Sequence, residues 1–337
     1  MTSTPWWLPG GHLQTILPAL LPPAAARTPL ALRRERWTTP DADFIDVDFV
    51  DATAADAPRL VLFHGLEGSS QAGYARAFGH LAQAAGWAFA VPHFRGCSGE
   101  LNLAPRAYHS GDFEEIGWIL ARLVERDGGR PLWAIGISLG GNALLRWAEE
   151  VGAAGQRLAH AVAAVCSPID LAAGGHAIGR GFSRQTYTRM FLASMKPKAL
   201  AKLAQHPGLF DAGRLRAARD LHAFDNVFTA PLHGFRDTED YWARASAKPH
   251  LRDIRLPALV VNALNDPFVP AASLPRPQEV GAHVTLWQPA RGGHVGLVRG
   301  RLPGQSLDMA AEVFAWLRAH NGPPTRPPTS PPPTHHG

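Results

Sequence analysis

The chain has 337 residues, 46% of them hydrophobic and 18% charged, which supplies a sizeable core and excludes an intrinsically disordered protein. A net charge of +5 without any Lys/Arg run or aromatic–basic interleaving argues against nucleic-acid binding. Two cysteines, Cys97 and Cys166, exclude a framework of several disulfides and suit a reducing compartment.

Residues 1–26 look superficially like a signal sequence. They lack a basic leading segment, however, and Pro9, His12, Gln14 and Pro18 interrupt the apolar run. No stretch reaches the length of a membrane-spanning helix, so a soluble, cytoplasmic protein is expected. Residues 1–40 read as an extension packed on the core. Residues 43–50 alternate polar and apolar side chains as a half-exposed edge strand would. An apolar strand at 59–63 stops at His64-Gly65, and a helix over 74–85 ends at Gly86. A strand at 87–92 follows, then a helix at 112–125 that Gly128-Gly129 closes. Residues 132–137 form the next strand and lead into a helix ending near Val151.

Strands at 161–166, 258–263 and 283–288 and a helix at 307–320 complete the alternation. Strands separated by helices predict an α/β fold: a mostly parallel sheet covered by helices on both faces. Residues 171–252 hold no core strand. Their helix-like segments (184–193, 198–204, 214–222 and 239–247) predict a helical lid inserted between two core portions, 41–170 and 253–320. The Pro/Thr-rich residues 321–337 read as a disordered tail.

The most informative stretch is Gly136-Ile137-Ser138-Leu139-Gly140, between a predicted strand and a predicted helix. In that context Gly-x-Ser-x-Gly is a nucleophile elbow: the serine takes a strained backbone conformation, and its neighbours two residues away must be small. A serine hydroxyl needs a base, and the base needs an orienting acid. In this architecture they follow in the order serine, acid, histidine. Asp266, just past the strand 258–263, and His294, after the strand 283–288, fit that order at the sheet edge where Ser138 emerges. Asp170 is the rival acid, with capping of the first lid helix as its alternative role. His64, His93, His109 and His176 precede Asp266 and break the order, and His283 lies at the wrong end of a strand. The oxyanion hole requires two backbone donors, and the N–H groups of Leu66 and Leu139 are the candidates. Ser69 or Ser70 would cap the helix that follows the first of these loops.

His12-Leu13-Gln14-Thr15, His64-Gly65-Leu66-Glu67-Gly68-Ser69, Arg95-Gly96-Cys97-Ser98-Gly99-Glu100, Tyr108-His109-Ser110-Gly111 and the elbow together resemble the YheT-like branch of the α/β-hydrolases. The resemblance spans about Trp6 to His320 and implies a Ser–Asp–His esterase or acylglycerol-lipase-like enzyme. The expected function is hydrolysis of short- to medium-chain carboxylic esters or acylglycerols through an acyl-enzyme, with no metal or organic cofactor. The alternatives are an acyltransferase or thioesterase using the same triad, and a non-catalytic binding module on the same fold. Between residues 171 and 250 there are 12 Lys/Arg against 6 Asp/Glu. Arg180, Arg184, Arg189, Lys196, Lys198 and Lys202 are interleaved with Phe182, Tyr187, Met190, Phe191, Leu192 and Met195. This pattern predicts an amphipathic lid with apolar side chains toward the site and charges outward, or a face that docks transiently on anionic membrane.

Overall fold

A computed structural model describes residues 7–20, 28–296 and 307–320. Strands β1 (Arg33–Thr38), β2 (Phe44–Val50), β3 (Arg59–Phe63), β4 (Ala88–Pro92), β5 (Leu132–Ile137), β6 (Val162–Val165), β7 (Ala258–Val261) and β8 (Val284–Trp287) form one sheet. Their spatial order is β1-β2-β4-β3-β5-β6-β7-β8. From β4 to β8 the pairing is parallel, while β1 and β2 run antiparallel at one margin. Apart from Arg59, the side chains of β3 to β7 are apolar and buried, because both faces of the sheet are covered there. Val61 and Phe63 of β3 join one core with helices Phe113–Arg126 and Leu139–Val151. Leu60 and Leu62 join the other, with helices Gly73–Ala84 and Leu307–Ala319.

The expectation for 43–50 is corrected at one point. β2 is a strand, but all seven of its residues are buried and β1 covers its outer edge. The aspartates that suggested solvent exposure are opposed by arginines in register: Arg34 faces Asp48 and Arg36 faces Asp46. Each guanidinium binds its carboxylate through two hydrogen bonds, at 2.7 and 2.9 Å for Asp48 and 2.8 and 2.9 Å for Asp46. Alternation therefore reflects cross-strand ion pairing rather than a wet face. β1 lies in the segment read as an extension, and its Arg-Arg-Glu-Arg run carries no apolar signal of a strand.

Between β6 and β7 the chain is helical, with no strand, and the helices differ from those expected. Arg189–Gln205 runs continuously through Pro197, joining two expected segments. A wider, π-type turn over Arg184–Thr188 leads into it. The expected helix at 214–222 is split into Ala212–Ala217 and Leu221–Val227, because Asp220 caps the second with its carboxylate on Ala223 N–H. Asp170, Asp211 and Asp237 cap three other helices in the same way. Neither Ser69 nor Ser70 caps Gly73–Ala84: Ser70 Oγ donates to Asp48 Oδ2 at 2.6 Å instead. Residues 321–337, expected to form a disordered tail, lie outside the described residues.

Arg95, just after β4, ties three parts of the fold together. Its guanidinium reaches Glu115 Oε2 at 2.6 Å, Asp43 Oδ2 at 2.7 Å and Asp41 Oδ2 at 2.9 Å, with its side chain 3% exposed. Asp43 also accepts from Asn102 Nδ2 and from Leu103 N–H, which fixes the loop over residues 95–103. Removing one partner from such a cluster strands buried charge. Arg95→Met should therefore lower the unfolding free energy by about 3–5 kcal/mol in urea titration. A loss below about 1 kcal/mol would show that the cluster does not hold the fold.

Candidate active site

β5 delivers the chain to Ser138, which sits at φ +51°, and helix Leu139–Val151 starts at the next residue. A positive φ at serine is strained, and close packing on every side holds it. A Cβ at Gly136 would stand 2.4 Å from the Gly140 carbonyl oxygen, and one at Gly140 would stand 2.5 Å from the carbonyls of Phe63 and His64. Ser138 N–H donates to Val165 O at 2.8 Å, which pins the elbow to β6.

The structure brings Ser138, His294 and Asp266 together. His294 Nε2 lies 3.0 Å from Ser138 Oγ, and its Nδ1 lies 2.8 Å from Asp266 Oδ2. The Asp266 side chain is fully buried, and its Oδ1 accepts from Phe268 N–H at 2.7 Å. The carboxylate thus has one oxygen committed to its own turn and the other to the imidazole. An ionised acid at Nδ1 makes that nitrogen the donor and leaves Nε2 to accept the serine proton. The Phe268 ring stacks on His294 with centroids 4.1 Å apart.

Asp170 does not reach His294. It caps helix Leu171–Ile178, accepting from Ala173 N–H at 3.0 Å. His64 is buried and neutral: its Nε2 accepts from Phe94 N–H, so its Nδ1 donates to Gly65 O, and desolvation pushes its pKa down to about 3. His93 bonds Asp48, and desolvation lowers the pKa of half-buried His109 to about 3.

The backbone of residues 65–67 passes close to Ser138; a Cβ on Gly65 would lie 3.3 Å from the serine Cβ. Two tyrosines hold this loop. Gly65 N–H donates to Tyr74 Oη at 3.1 Å and Glu67 N–H to Tyr108 Oη at 2.9 Å, while Tyr108 donates in turn to Glu67 Oε1. Leu66 and Leu139 both border the cavity in front of Ser138. Their N–H groups have no acceptor among the described residues. The cavity has a volume of about 750 Å³, within the range of small-molecule sites. Its walls are mainly apolar and include Ile16, Leu20, Tyr187, Met190, Phe191 and Phe224.

The expectation that lid charges point outward is corrected for Lys198 and Lys202. Lys198 turns inward to Glu67 Oε2 at 2.8 Å, and Lys202 is buried with its ammonium on the carbonyls of Asn102 and Ala104. Desolvation lowers the Lys202 pKa to about 8. Phe182 and Met190 are exposed instead, at 53% and 59%. Three tethers of the site were not anticipated from the sequence. Gln14 and Thr15 of helix Gly10–Leu20, together with Asn265, hydrogen-bond the loop that carries His294. The sequence signal for Gln14 and Thr15 was their place in the motif His12-Leu13-Gln14-Thr15, and for Asn265 only its place beside Asp266.

Cys166 Sγ, Asp266 and His294 offer ligand atoms within 4.8 Å of one another. Both ring nitrogens of His294 are engaged by Ser138 and Asp266, and burial pushes the Cys166 thiol pKa well up, so it stays protonated. Cys166 Sγ accepts instead from Val295 N–H, beside the His294–Asp266 pair.

A family model described as alpha/beta hydrolase fold matches residues 58–300. The chain belongs to the α/β-hydrolase family. Within it the chain falls in the YheT-like branch: it is 38% identical over 313 residues to YheT of Escherichia coli (strain K12), a protein assigned as an esterase, covering 92% of this chain and 90% of that one. It is 27% identical over 317 residues to the phospholipase ABHD3 of Mus musculus, covering 90% of this chain and 76% of the relative. Among solved structures, an esterase of Pyrococcus furiosus superposes with a TM-score of 0.55 at 16% identity, covering 86% of this chain and 91% of that one. That likeness concerns the fold. Together these relatives make the chain a hydrolase of esterase or lipase type. Among the described residues no helix is long and apolar enough to cross a membrane.

Proposed function

We propose that this α/β-hydrolase cleaves carboxylic esters of short- to medium-chain acids, acylglycerols among them, through an acyl-enzyme on Ser138. The observation that carries the reading is the unbroken relay from Asp266 through His294 to a serine held at positive φ. Ser138 Oγ attacks the ester carbonyl carbon as His294 Nε2 takes its proton. The tetrahedral oxyanion is held by Leu66 and Leu139 N–H at the positive end of helix Leu139–Val151. Collapse expels the alcohol, which receives the proton from His294. Water then attacks the acyl carbonyl, giving its proton to His294, and Ser138 departs as the free hydroxyl. Asp266 remains ionised and stabilises the imidazolium. The apolar cavity accommodates the acyl chain. Acyl transfer and thioester cleavage would use the same acyl-enzyme with another acceptor or leaving group, and an intact relay speaks against a purely binding role. A fluorophosphonate should label the protein at Ser138, and Ser138→Ala should abolish labelling. Asp266→Asn should lower kcat on an aryl ester by about 10⁴-fold. Labelling of Ser138→Ala at the parental rate, or loss of hydrolysis on chelation, would contradict the reading.

Leu20 and Met190 border the cavity yet are 71% and 59% exposed. His12 of the first helix packs edge-on against exposed Phe182 at 4.7 Å, so helix Gly10–Leu20 and the segment 181–190 adjoin at the rim. Arg180, just before that segment, and Arg189, near its end, are both exposed. An apolar rim with basic flanks complements anionic lipid. The protein should sediment with phosphatidylglycerol vesicles at low salt and be released at high salt. Failure to sediment at low salt would confine it to substrates free in solution.

A further inference from the structure

We propose that helix Gly10–Leu20 is a positioning element of the active site, fixing the His294 imidazole through Gln14 and Thr15. The inference rests on the Ser138–His294–Asp266 reading and deepens it. Gly292 and Gly293 are buried, and His294 is half-buried, in a loop with no regular backbone pairing of its own. Their three successive N–H groups are nevertheless all satisfied. Gly292 N–H donates to Gln14 Oε1 and Asn265 Oδ1, both at 2.9 Å, and Gly293 N–H donates to Asn265 Oδ1 at 3.1 Å. His294 N–H donates to Thr15 Oγ1 at 2.9 Å.

The acceptors are themselves fixed. Gln14 is fully buried, and its Nε2 donates to Leu8 O at 2.8 Å. Asn265 Nδ2 donates to the same Gln14 Oε1 at 2.9 Å, and Thr15 Oγ1 donates to Gly11 O at 2.7 Å. On the far side of His294, Val295 N–H donates to Cys166 Sγ at 3.2 Å. The histidine is thus held at its own N–H and at the next.

Glycines let the backbones meet directly. A Cβ on Gly11 would lie 1.9 Å from Asn265 O, and one on Gly296 would lie 1.9 Å from Gln14 O. One helix therefore rests on both loops that carry the relay, that of Asp266 and that of His294. Neither Gln14 nor Thr15 touches the reacting atoms through these bonds; both act through the backbone that sets the position of Nε2. A displacement of about 1 Å there costs on the order of 100-fold in rate.

The test compares Thr15→Val, which keeps the shape and loses the acceptor, with Thr15→Ser, which keeps the acceptor. On an aryl ester, Thr15→Val should lower kcat by about 10–100-fold with KM nearly unchanged and Tm close to the parent. Thr15→Ser should recover most of the loss. Should Thr15→Val not fold, Gln14→Glu, which keeps an oxygen for Gly292 N–H, should exceed Gln14→Met in kcat. Parental kcat in Thr15→Val, an equal loss in Thr15→Ser, or an effect on KM alone would overturn the proposal. Fluorophosphonate labelling of the parent at Ser138 separates the two failures. With the parent labelled and Thr15→Val unchanged, only the positioning role falls; with no labelling, the reading beneath it falls as well.

Discussion

The site depends on one steric constraint: Ser138 must hold φ +51° where β5 meets the following helix. That conformation lifts the hydroxyl off the sheet and turns the helix start toward it. It persists only because no side chain stands at Gly136 or Gly140, where a Cβ would meet backbone atoms 2.4–2.5 Å away. Backbone cannot yield as a side chain can, so the sheet, the helix and the loop after β3 are locked to one another at the serine. The imidazole and the carboxylate are then brought to a hydroxyl that is already fixed.

The surroundings extend that logic by holding the loops with side chains from outside them, most from distant parts of the chain. Tyr74 and Tyr108 hold the loop of Gly65 and Glu67. Gln14, Thr15 and Asn265 hold the loop of His294. Arg95 joins the loop after β4 to the turn before β2 and to helix Phe113–Arg126. Loop geometry is weakly specified by its own backbone, so precision at the site is imported from buried polar groups whose hydrogen bonds are completed there.

This division explains what the sequence made legible. The elbow and Asp266 could be singled out because each follows an apolar strand, and His294 because the architecture fixes the order serine, acid, histidine. The parallel strands could be read for the same reason, being apolar on both faces. β1 could not, because it is charged and mostly exposed, and the burial of β2 beside it was masked by Asp46 and Asp48, whose charges Arg36 and Arg34 of β1 pair. The inward turn of Lys198 and Lys202 was hidden likewise, since their partners Glu67, Asn102 and Ala104 lie about 100 to 130 residues earlier. Gln14 and Thr15 stood in a recognisable motif, but only folding places them against a loop nearly three hundred residues away. Contacts of long sequence separation between polar groups leave no periodicity to read.

The most direct measurement is a crystal structure of the protein inactivated with a medium-chain alkyl phosphonate. The account predicts phosphorus bonded to Ser138 Oγ, with the phosphoryl oxygen about 2.7–3.1 Å from both Leu66 and Leu139 N–H. The alkyl chain should lie in the cavity beside Phe191 and Ile16. Phosphorus on another residue, or a phosphoryl oxygen turned away from those two amides, would contradict it.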